Sequence, residues 1–246
     1  MRIAHLSDLH FGAHRPELVA PLIADITHFA PDVIAISGDL TQVASRVEFD
    51  QAAEFLAALP APVVAVPGNH DIPKIAILER MIDPRRRWKR RIAPNTEPGV
   101  ILPGLAVLGL DTVRRAQAHL DWSAGGISDR RLARLMARVA AAHPRTVVVV
   151  CHHPLRHPAW AWNRALPVGA GRALEAMRRA GVAAILSGHL HHASTPIGTP
   201  PVMIGGSSLS HRVRGVPNSW SLVELGDGAP VARVRVATGG AWRDGR

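Results

Sequence analysis

Apolar segments and helical patterns alternate along the first third of the chain. Runs of mainly apolar residues at Arg2–Leu6, Val33–Ser37 and Val63–Val66 have the length expected of strands buried on both faces. Apolar residues at helical spacing fill the two intervals, within 16–30 and 48–59. Strands separated by helices at intervals of about 30 residues are typical of consecutive βαβ units. The pattern therefore predicts a parallel α/β sheet whose first three strands end along one edge.

The second half of the chain continues with strands and helices. Thr146–Cys151 and Val182–Leu186 predict two further buried strands, each preceded by a helical pattern. A hairpin is expected around Pro103-Gly104. Short antiparallel strands are expected near the C-terminus, at 202–204, 220–225 and 231–236.

The stretch between residues 72 and 92 combines an incomplete helical pattern with strong positive charge. The pattern could form a helix, but Pro84 should break it. Arg85–Arg91 holds six basic residues in seven positions, with Trp88 between them. This segment is either a solvated basic face or a charged rim that attracts an anionic substrate or lipid headgroup. The apolar positions of the pattern are Ile75, Ile77, Leu78, Met81 and Ile82.

Composition and length indicate one domain. The 246 residues are 47% apolar and 20% charged, and no linker-like stretch divides them. We expect one domain over residues 1–238 and a frayed tail over 239–246. Since no apolar run approaches roughly 18 residues and the first strand begins at Met1, neither a transmembrane segment nor a signal peptide is expected. The single cysteine, Cys151, excludes an internal disulfide and is typical of a cytoplasmic location.

Positive charge favours anionic partners. Twenty-nine Lys and Arg residues outnumber nineteen Asp and Glu residues, which gives a formal net charge of +10. Phosphorylated small molecules, nucleic acid and acidic membrane surfaces all match this charge, and the charge alone does not choose among them.

Potential metal ligands follow five of the predicted strands. In an extended segment residues i and i+2 point the same way, so each of two His-containing pairs should converge on one point. The donors are carboxylates, imidazoles and an amide oxygen without any thiolate, which suits Mn²⁺, Fe or Zn²⁺. Seven ligands are too many for one ion but suit two ions that share a carboxylate, and Asp39 is the natural bridge. The seven candidates are Asp8, His10, Asp39, Asn69, His152, His189 and His191.

The same residues carry a resemblance to a known family. Five short motifs occur in the family's order, and the resemblance spans residues 3 to about 192. On these motifs the chain resembles the calcineurin-like metallophosphoesterases, which implies a four-layer α/β/β/α sandwich with two divalent metal ions (Mn²⁺, Fe²⁺/Fe³⁺ or Zn²⁺). The motifs are Ser-Asp-Leu-His at 7–10, Gly-Asp at 38–39, Gly-Asn-His-Asp at 68–71, His-His-Pro at 152–154 and Gly-His-Leu-His at 188–191.

The resemblance also implies a role for each motif residue. One metal would be held by Asp8, His10, Asp39 and His191, and the other by Asp39, Asn69, His152 and His189. His70 would contact the substrate phosphate and protonate the leaving oxygen, and Asp71 could orient His70. His153 and His192 are expected beside the ligands rather than among them, and Cys151 should face away from the metals because strand side chains alternate.

The expected reaction is hydrolysis of a small anionic phosphoester by a metal-activated water. The chain's length and motif order look most like the cyclic nucleotide phosphodiesterase branch of the family. A lipid-linked phosphodiester or pyrophosphate at a membrane surface is the alternative, motivated by Arg85–Arg91, Trp160 and Trp162. A DNA nuclease and a non-catalytic scaffold rank below both, and no nucleic acid partner is expected. Leu155 stands where many members have a second proline, so the motifs specify the metal site better than the substrate, and the oligomeric state stays open.

Overall fold

A computed structural model describes residues 1–74, 76–116, 123–213 and 215–245 of the chain. Ile75 of the apolar pattern and Arg246 of the predicted tail lie outside the described residues. The strands are β1 Arg2–Leu6, β2 Val33–Ile36, β3 Val63–Ala65, β4 Gly99–Leu102, β5 Leu105–Leu110, β6 Thr146–Cys151, β7 Ala184–Ser187, β8 Val202–Ile204, β9 Ser219–Glu224, β10 Val231–Thr238 and β11 Ala241–Asp244. The helices are α1 Val19–Phe29, α2 Arg46–Ala57, α3 Ile77–Ile82, α4 Arg86–Arg91, α5 Asp129–Ala142 and α6 Ala170–Arg179. None of the helices in the described ranges is long and apolar enough to cross a membrane.

Two sheets pack face to face between two layers of helices. The first sheet has the order β11-β10-β9-β1-β2-β3, and the second has the order β4-β5-β6-β7-β8. One apolar cluster joins the inner faces of the sheets, for example Ile3 and Val64 with Val107 and Val148. Because the alternate residues of the same strands pack against helices, both faces of these strands are buried and read as continuous apolar runs. The predicted single-domain α/β/β/α sandwich is confirmed.

Two expectations near the C-terminus are wrong. β8 pairs with β7 in parallel rather than antiparallel, because the long connection from Ser187 to Val202 lets the chain return in the same direction. The tail is not frayed over its described part: β11 pairs with β10, and Trp242 is buried against the helical layer. The segment 239–246 is too short to show a hydrophobic periodicity, so this edge strand could not be predicted from the sequence.

Pro84 divides the ambiguous stretch into two short helices, as expected from its missing amide donor. In α4 the indole of Trp88 is fully buried and meets Phe49 edge-on at 6.5 Å between ring centroids. Four of the six cations in 85–91 have carboxylate partners, which are Asp111 for Arg85, Glu79 for Arg87, Asp83 for Lys89 and Asp50 for Arg91. Within the described ranges no ion pair is found for Arg86 or Arg90. The segment is therefore a core-anchored helix whose cations are mostly paired, rather than a uniformly solvated face.

Trp88→Ala is expected to lower the free energy of unfolding by about 3 kcal/mol, because it leaves a large cavity between α4 and α2. Chemical denaturation followed by circular dichroism measures the change. Trp162→Ala is the matched control, since that side chain is 83% exposed and its removal should change stability by less than about 0.5 kcal/mol. Equal stability losses in the two variants would contradict the packing of α4.

Candidate metal centre

The predicted ligands lie in loops at the carboxyl ends of five parallel strands. β1, β2 and β3 are neighbours in the first sheet, and β6 and β7 are neighbours in the second, so packing of the sheets brings all five ends together. This is the edge at which α/β sheets bind ligands. The residues are Asp8 and His10 after β1, Asp39 after β2, Asn69 and His70 after β3, His152 after β6, and His189 and His191 after β7.

At five of these loop positions the backbone is left-handed rather than extended. The φ angles are 51° at Asp8, 52° at His10, 54° at Asp39, 71° at His189 and 60° at His191. A residue other than glycine in this region costs on the order of 1–3 kcal/mol and persists only where surrounding contacts impose it. The expectation that extended segments aim residues i and i+2 alike is therefore wrong here. Asp8 and His10 still converge, whereas His189 and His191 belong to two different groups of potential ligands.

The first group surrounds Asp8. Oδ1 of Asp8 lies 3.2 Å from Nε2 of His191 and 3.8 Å from Nε2 of His10. Nε2 of His10 lies 3.6 Å from Oδ2 of Asp39. All four residues are buried. Ligand atoms around one ion held at about 2.1 Å are separated by about 3 Å, so these distances suit a shared cation.

The second group surrounds Asn69. Its Oδ1 lies 3.0 Å from Nε2 of His152 and 3.0 Å from Nδ1 of His189. Nε2 of His152 also lies 3.4 Å from Oδ2 of Asp39. The same carboxylate oxygen thus stands within 3.6 Å of one imidazole from each group. Asp39 lies between the two groups, at the position predicted for a bridging ligand.

Hydrogen bonds hold one oxygen of each carboxylate and leave the other directed into the site. Oδ2 of Asp8 accepts from the Ser7 hydroxyl at 2.5 Å and from the His189 amide at 3.1 Å. Oδ1 of Asp39 accepts from the His70 amide at 2.7 Å. These contacts orient Oδ1 of Asp8 and Oδ2 of Asp39 towards the imidazoles. Outer contacts of this kind fix the geometry of metal ligands.

The polar atoms in the centre fit bound cations. Oδ1 of Asp8 and both ring nitrogens of His10 are buried without a hydrogen-bond partner, which costs on the order of 1–3 kcal/mol for each such group. Nδ1 of His152 donates to the Ser37 carbonyl at 2.7 Å, so the Nε2 lone pair of the neutral ring faces the oxygens of Asp39 and Asn69. Lone pairs that face one another repel unless a cation lies between them. The oxygen and nitrogen donors suit Mn²⁺, Fe or Zn²⁺.

Two glycines make room for this arrangement. A Cβ atom at Gly68 would overlap Oδ1 of Asp39, and one at Gly38 would lie 2.7 Å from Nδ1 of His152. Gly38 also has a φ of +90°. The glycines of the Gly-Asp and Gly-Asn-His motifs are therefore required by close approach of the ligand loops.

His70 lies beside the centre, at the wall of an open cavity. Its ring meets that of His10 edge-on at 4.7 Å between centroids, and its Nδ1 donates to the Gln42 carbonyl at 2.7 Å. The other ring nitrogen, Nε2, faces Nζ of Lys74 at 3.5 Å. Burial lowers the pKa of His70, while the Asp39 carboxylate opposes that shift. An anionic phosphoester beside the ring would also favour the protonated form, which donates from Nε2.

The orienting role expected of Asp71 is wrong. Its Oδ1 accepts from the amide and hydroxyl of Thr41, both at 2.8 Å. Its Oδ2 accepts from the amides of Leu40 at 3.1 Å and Gly68 at 2.9 Å. Asp71 therefore ties the loop after β2 to the loop after β3, and the Gln42 carbonyl orients His70 instead. A backbone acceptor leaves no signal in the sequence.

Three residues adjacent to the predicted ligands make none of the contacts described above for the groups around Asp8 and Asn69. They are Cys151, His153 and His192. Nε2 of His153 donates to the Ser123 carbonyl, and its Nδ1 accepts from the Thr112 hydroxyl, both at 2.7 Å. Ring nitrogens of His153, His152 and His189 lie within 4.8 Å of one another, but both nitrogens of His153 already have hydrogen-bond partners. Burial lowers the pKa of His153 to about 3. The Cys151 thiol packs into the apolar cluster beneath α5 and α6, on the face of β6 away from the centre, and His192 contacts Trp160.

Two positively charged side chains at the cavity, Lys74 and Arg80, were not predicted from the sequence. The cavity has a volume of 280 Å³ and is lined by Asn69, His70, Lys74, Arg80 and Ser123. Nζ of Lys74 lies 3.5 Å from Nε2 of His70, so its charge is next to the position where a substrate would meet the ring. The four-residue spacing of His70 and Lys74 is a weak signal, and Arg80 is placed by contacts distant in sequence.

Comparisons with known proteins identify the family and the fold. A family model described as calcineurin-like phosphoesterase matches residues 1–193, a range that contains every predicted ligand. A dimetal phosphatase from Danio rerio superposes with a TM-score of 0.69, covering 99% of this chain and 98% of that chain at 13% identity. At this identity the structural likeness shows the fold alone.

Curated relatives match part of the chain. The glycerophosphodiester phosphodiesterase GpdQ of Enterobacter lignolyticus is 26% identical over 170 residues, which cover 63% of this chain and 57% of that protein. The 3′,5′-cyclic adenosine monophosphate phosphodiesterase CpdA of Escherichia coli K12 is 27% identical over 166 residues, which cover 63% of this chain and 56% of that protein. The matched part of the chain thus spans a little more than half the length of each relative.

Proposed function

Because the chain belongs to the calcineurin-like phosphoesterase family, we propose that it hydrolyses a phosphodiester at a centre of two divalent cations. The observation that carries this proposal is the position of Asp39 Oδ2, which lies within 3.6 Å of His10 Nε2 and of His152 Nε2. Two cations close together repel and need an anion between them, and Asp39 supplies it.

The ligand sets are proposed as the sequence motifs imply them. Asp8, His10, Asp39 and His191 would hold one cation, and Asp39, Asn69, His152 and His189 would hold the other. When bound, two such cations lower the pKa of a water molecule and neutralise charge that develops on the phosphoryl oxygens. The donor set suits Mn²⁺, Fe or Zn²⁺ without choosing among them.

The remaining residues bind and orient the substrate. Lys74 and Arg80 add positive charge to the cavity beside Asn69 and His70, so an anionic phosphoester is attracted to that side of the centre. His70, held through Nδ1 by the Gln42 carbonyl, directs Nε2 towards the cavity and can pass a proton to the leaving oxygen. Asp71 keeps the loops that carry Asp39 and His70 together.

A diester is preferred to a monoester because the named activities of the relatives GpdQ and CpdA are both phosphodiester hydrolysis. The two names differ in the diester, and a glycerophosphodiester and a cyclic nucleotide are both proposed as substrates for testing.

The protein loaded with Mn²⁺ is expected to hydrolyse bis(4-nitrophenyl) phosphate, and to do so faster than 4-nitrophenyl phosphate. Release of 4-nitrophenol measures both rates. Cyclic AMP and glycerophosphocholine are then compared by chromatographic separation of the phosphomonoesters that their hydrolysis releases. Protein treated with a chelator and then reloaded is the control for adventitious hydrolysis. Absence of turnover with Mn²⁺, Fe²⁺ and Zn²⁺ alike would overturn the proposal, and faster hydrolysis of the monoester would overturn the diester preference.

A further inference from the structure

Helix α3 presents its apolar side chains to solvent. The exposed fractions are 53% for Ile77, 79% for Leu78, 41% for Met81 and 81% for Ile82, whereas Arg80 is only 6% exposed. A helix on a protein surface normally has the opposite orientation, with its apolar side against the core. A contiguous apolar surface of this kind marks an interaction site.

Polar contacts hold α3 in this orientation. Glu79 binds Arg87 of α4, with 2.6 Å between Oε2 and Nη2. On the other edge, Nε of Arg80 donates to the Arg115 carbonyl at 2.7 Å and Nη1 donates to the Pro73 carbonyl at 3.2 Å. The exposed apolar face is therefore built into the packing of the helix.

The apolar face lies between two cationic regions. At about 100° per residue, the four apolar side chains cover an arc of about 140°, with Glu79 next to Ile82 and Arg80 next to Ile77. Arg80 lines the cavity beside the metal centre. Glu79 lines a second cavity of 190 Å³ whose other lining residues are all arginines. These are Arg46, Arg86, Arg87, Arg90 and Arg91.

The chemistry of this surface matches an anionic bilayer. Apolar side chains flanked by arginines are typical of elements that lie in a membrane interface, where the apolar groups enter the acyl boundary and the cations meet lipid phosphates. A second copy of the chain is a poor partner for the same surface, because each copy has a formal net charge of +10.

We propose that α3 docks the protein on an anionic membrane surface. Leu78 and Ile82 enter the bilayer interface together with Ile77 and Met81. The cations of Arg86 and Arg90, for which the described part of the chain supplies no carboxylate, bind headgroup phosphates. The surface acts independently of the metal centre, so binding does not require bound cations or turnover.

Co-sedimentation with vesicles tests the docking surface. The metal-loaded protein is expected to bind vesicles of equal parts phosphatidylglycerol and phosphatidylcholine, and to bind pure phosphatidylcholine vesicles at least about tenfold more weakly. The double variant Leu78→Ser/Ile82→Ser should lower the partition coefficient on the anionic vesicles at least about tenfold, since two large apolar side chains leave the interface. Arg86→Glu/Arg90→Glu should have a similar effect that raising the salt concentration reproduces in the unmodified protein.

The double variant Ile101→Ser/Val231→Ser is the matched control. Its two side chains are 51% and 55% exposed and lie on β4 and β10, so vesicle binding should be unchanged. Unaltered hydrolysis of a small soluble diester and unaltered thermal unfolding show that the α3 variant is folded. Equal binding of the α3 and control variants would overturn the proposal. So would a dimer that forms without vesicles and is lost in Leu78→Ser/Ile82→Ser, because the partner would then be a second copy.

Discussion

Asp39→Asn is expected to lower the rate of phosphodiester hydrolysis by at least about a thousandfold. The substitution keeps the size of the side chain and an oxygen for the His70 amide, but it removes the negative charge between the two ligand groups. Two cations would then repel without an anionic bridge, and the loss of several kcal/mol of transition-state stabilisation corresponds to this rate factor. Elemental analysis should find two ions per chain in the unmodified protein and no more than one in the variant.

Asp129→Asn is the control for Asp39→Asn. That carboxylate is 87% exposed and pairs with the exposed Arg172, so the rate and the metal content should stay as they are. Thermal unfolding of Asp39→Asn with excess metal ion shows whether the variant folds. A folded Asp39→Asn protein that keeps two ions and the full rate would show that Asp39 is not the bridging ligand.

His70→Ala is expected to keep both metal ions and to lose rate according to the leaving group. An alkoxide leaving group needs the proton, so hydrolysis of such a diester should fall by about 10²–10⁴-fold. Release of 4-nitrophenolate needs little protonation, so bis(4-nitrophenyl) phosphate should be affected much less. Rates measured on a series of diesters with increasing leaving-group pKa, together with the metal content, check this expectation.

His28→Ala, at an exposed position in the last turn of α1, is the control for His70→Ala and should leave every rate unchanged. A uniform loss over the whole leaving-group series would assign His70 to phosphate binding instead of proton transfer. Loss of a metal ion in the variant would make it a ligand, contrary to the proposed sets.

Local sequence patterns were sufficient to predict the layers of the fold and the region of the site. Buried parallel strands produce continuous apolar runs, and the polar residues that end β1, β2 and β3 must then meet at one edge. The glycines beside Asp39 and Asn69 belong to the same short motifs, and the structure shows that they allow the loops to approach each other closely. Each of these signals depends on residues a few positions apart.

What could not be predicted depends on contacts between distant residues. Periodicity identified the apolar side of α3 but could not show that Glu79 and Arg80 turn it outwards, since their partners are Arg87 and the Arg115 carbonyl. Likewise, the carboxylate of Asp71 meets amides about 30 residues away. The left-handed backbone at Asp8 and His10 depends on the packed loops, because Asp and His also adopt extended conformations in other contexts.

The division of the proposed ligands between the two sheets would couple metal binding to completion of the fold. The part of the chain up to β3 and the loop after it supplies Asp8, His10, Asp39 and Asn69, and the loops after β6 and β7 supply the other histidines. Neither set alone completes one of the two proposed ligand groups, so tight binding of a cation would require that both sheets have packed together. A cation bound there would link the loops of the first sheet to the loops of the second sheet, and the free energy of metal binding would become part of the free energy of folding.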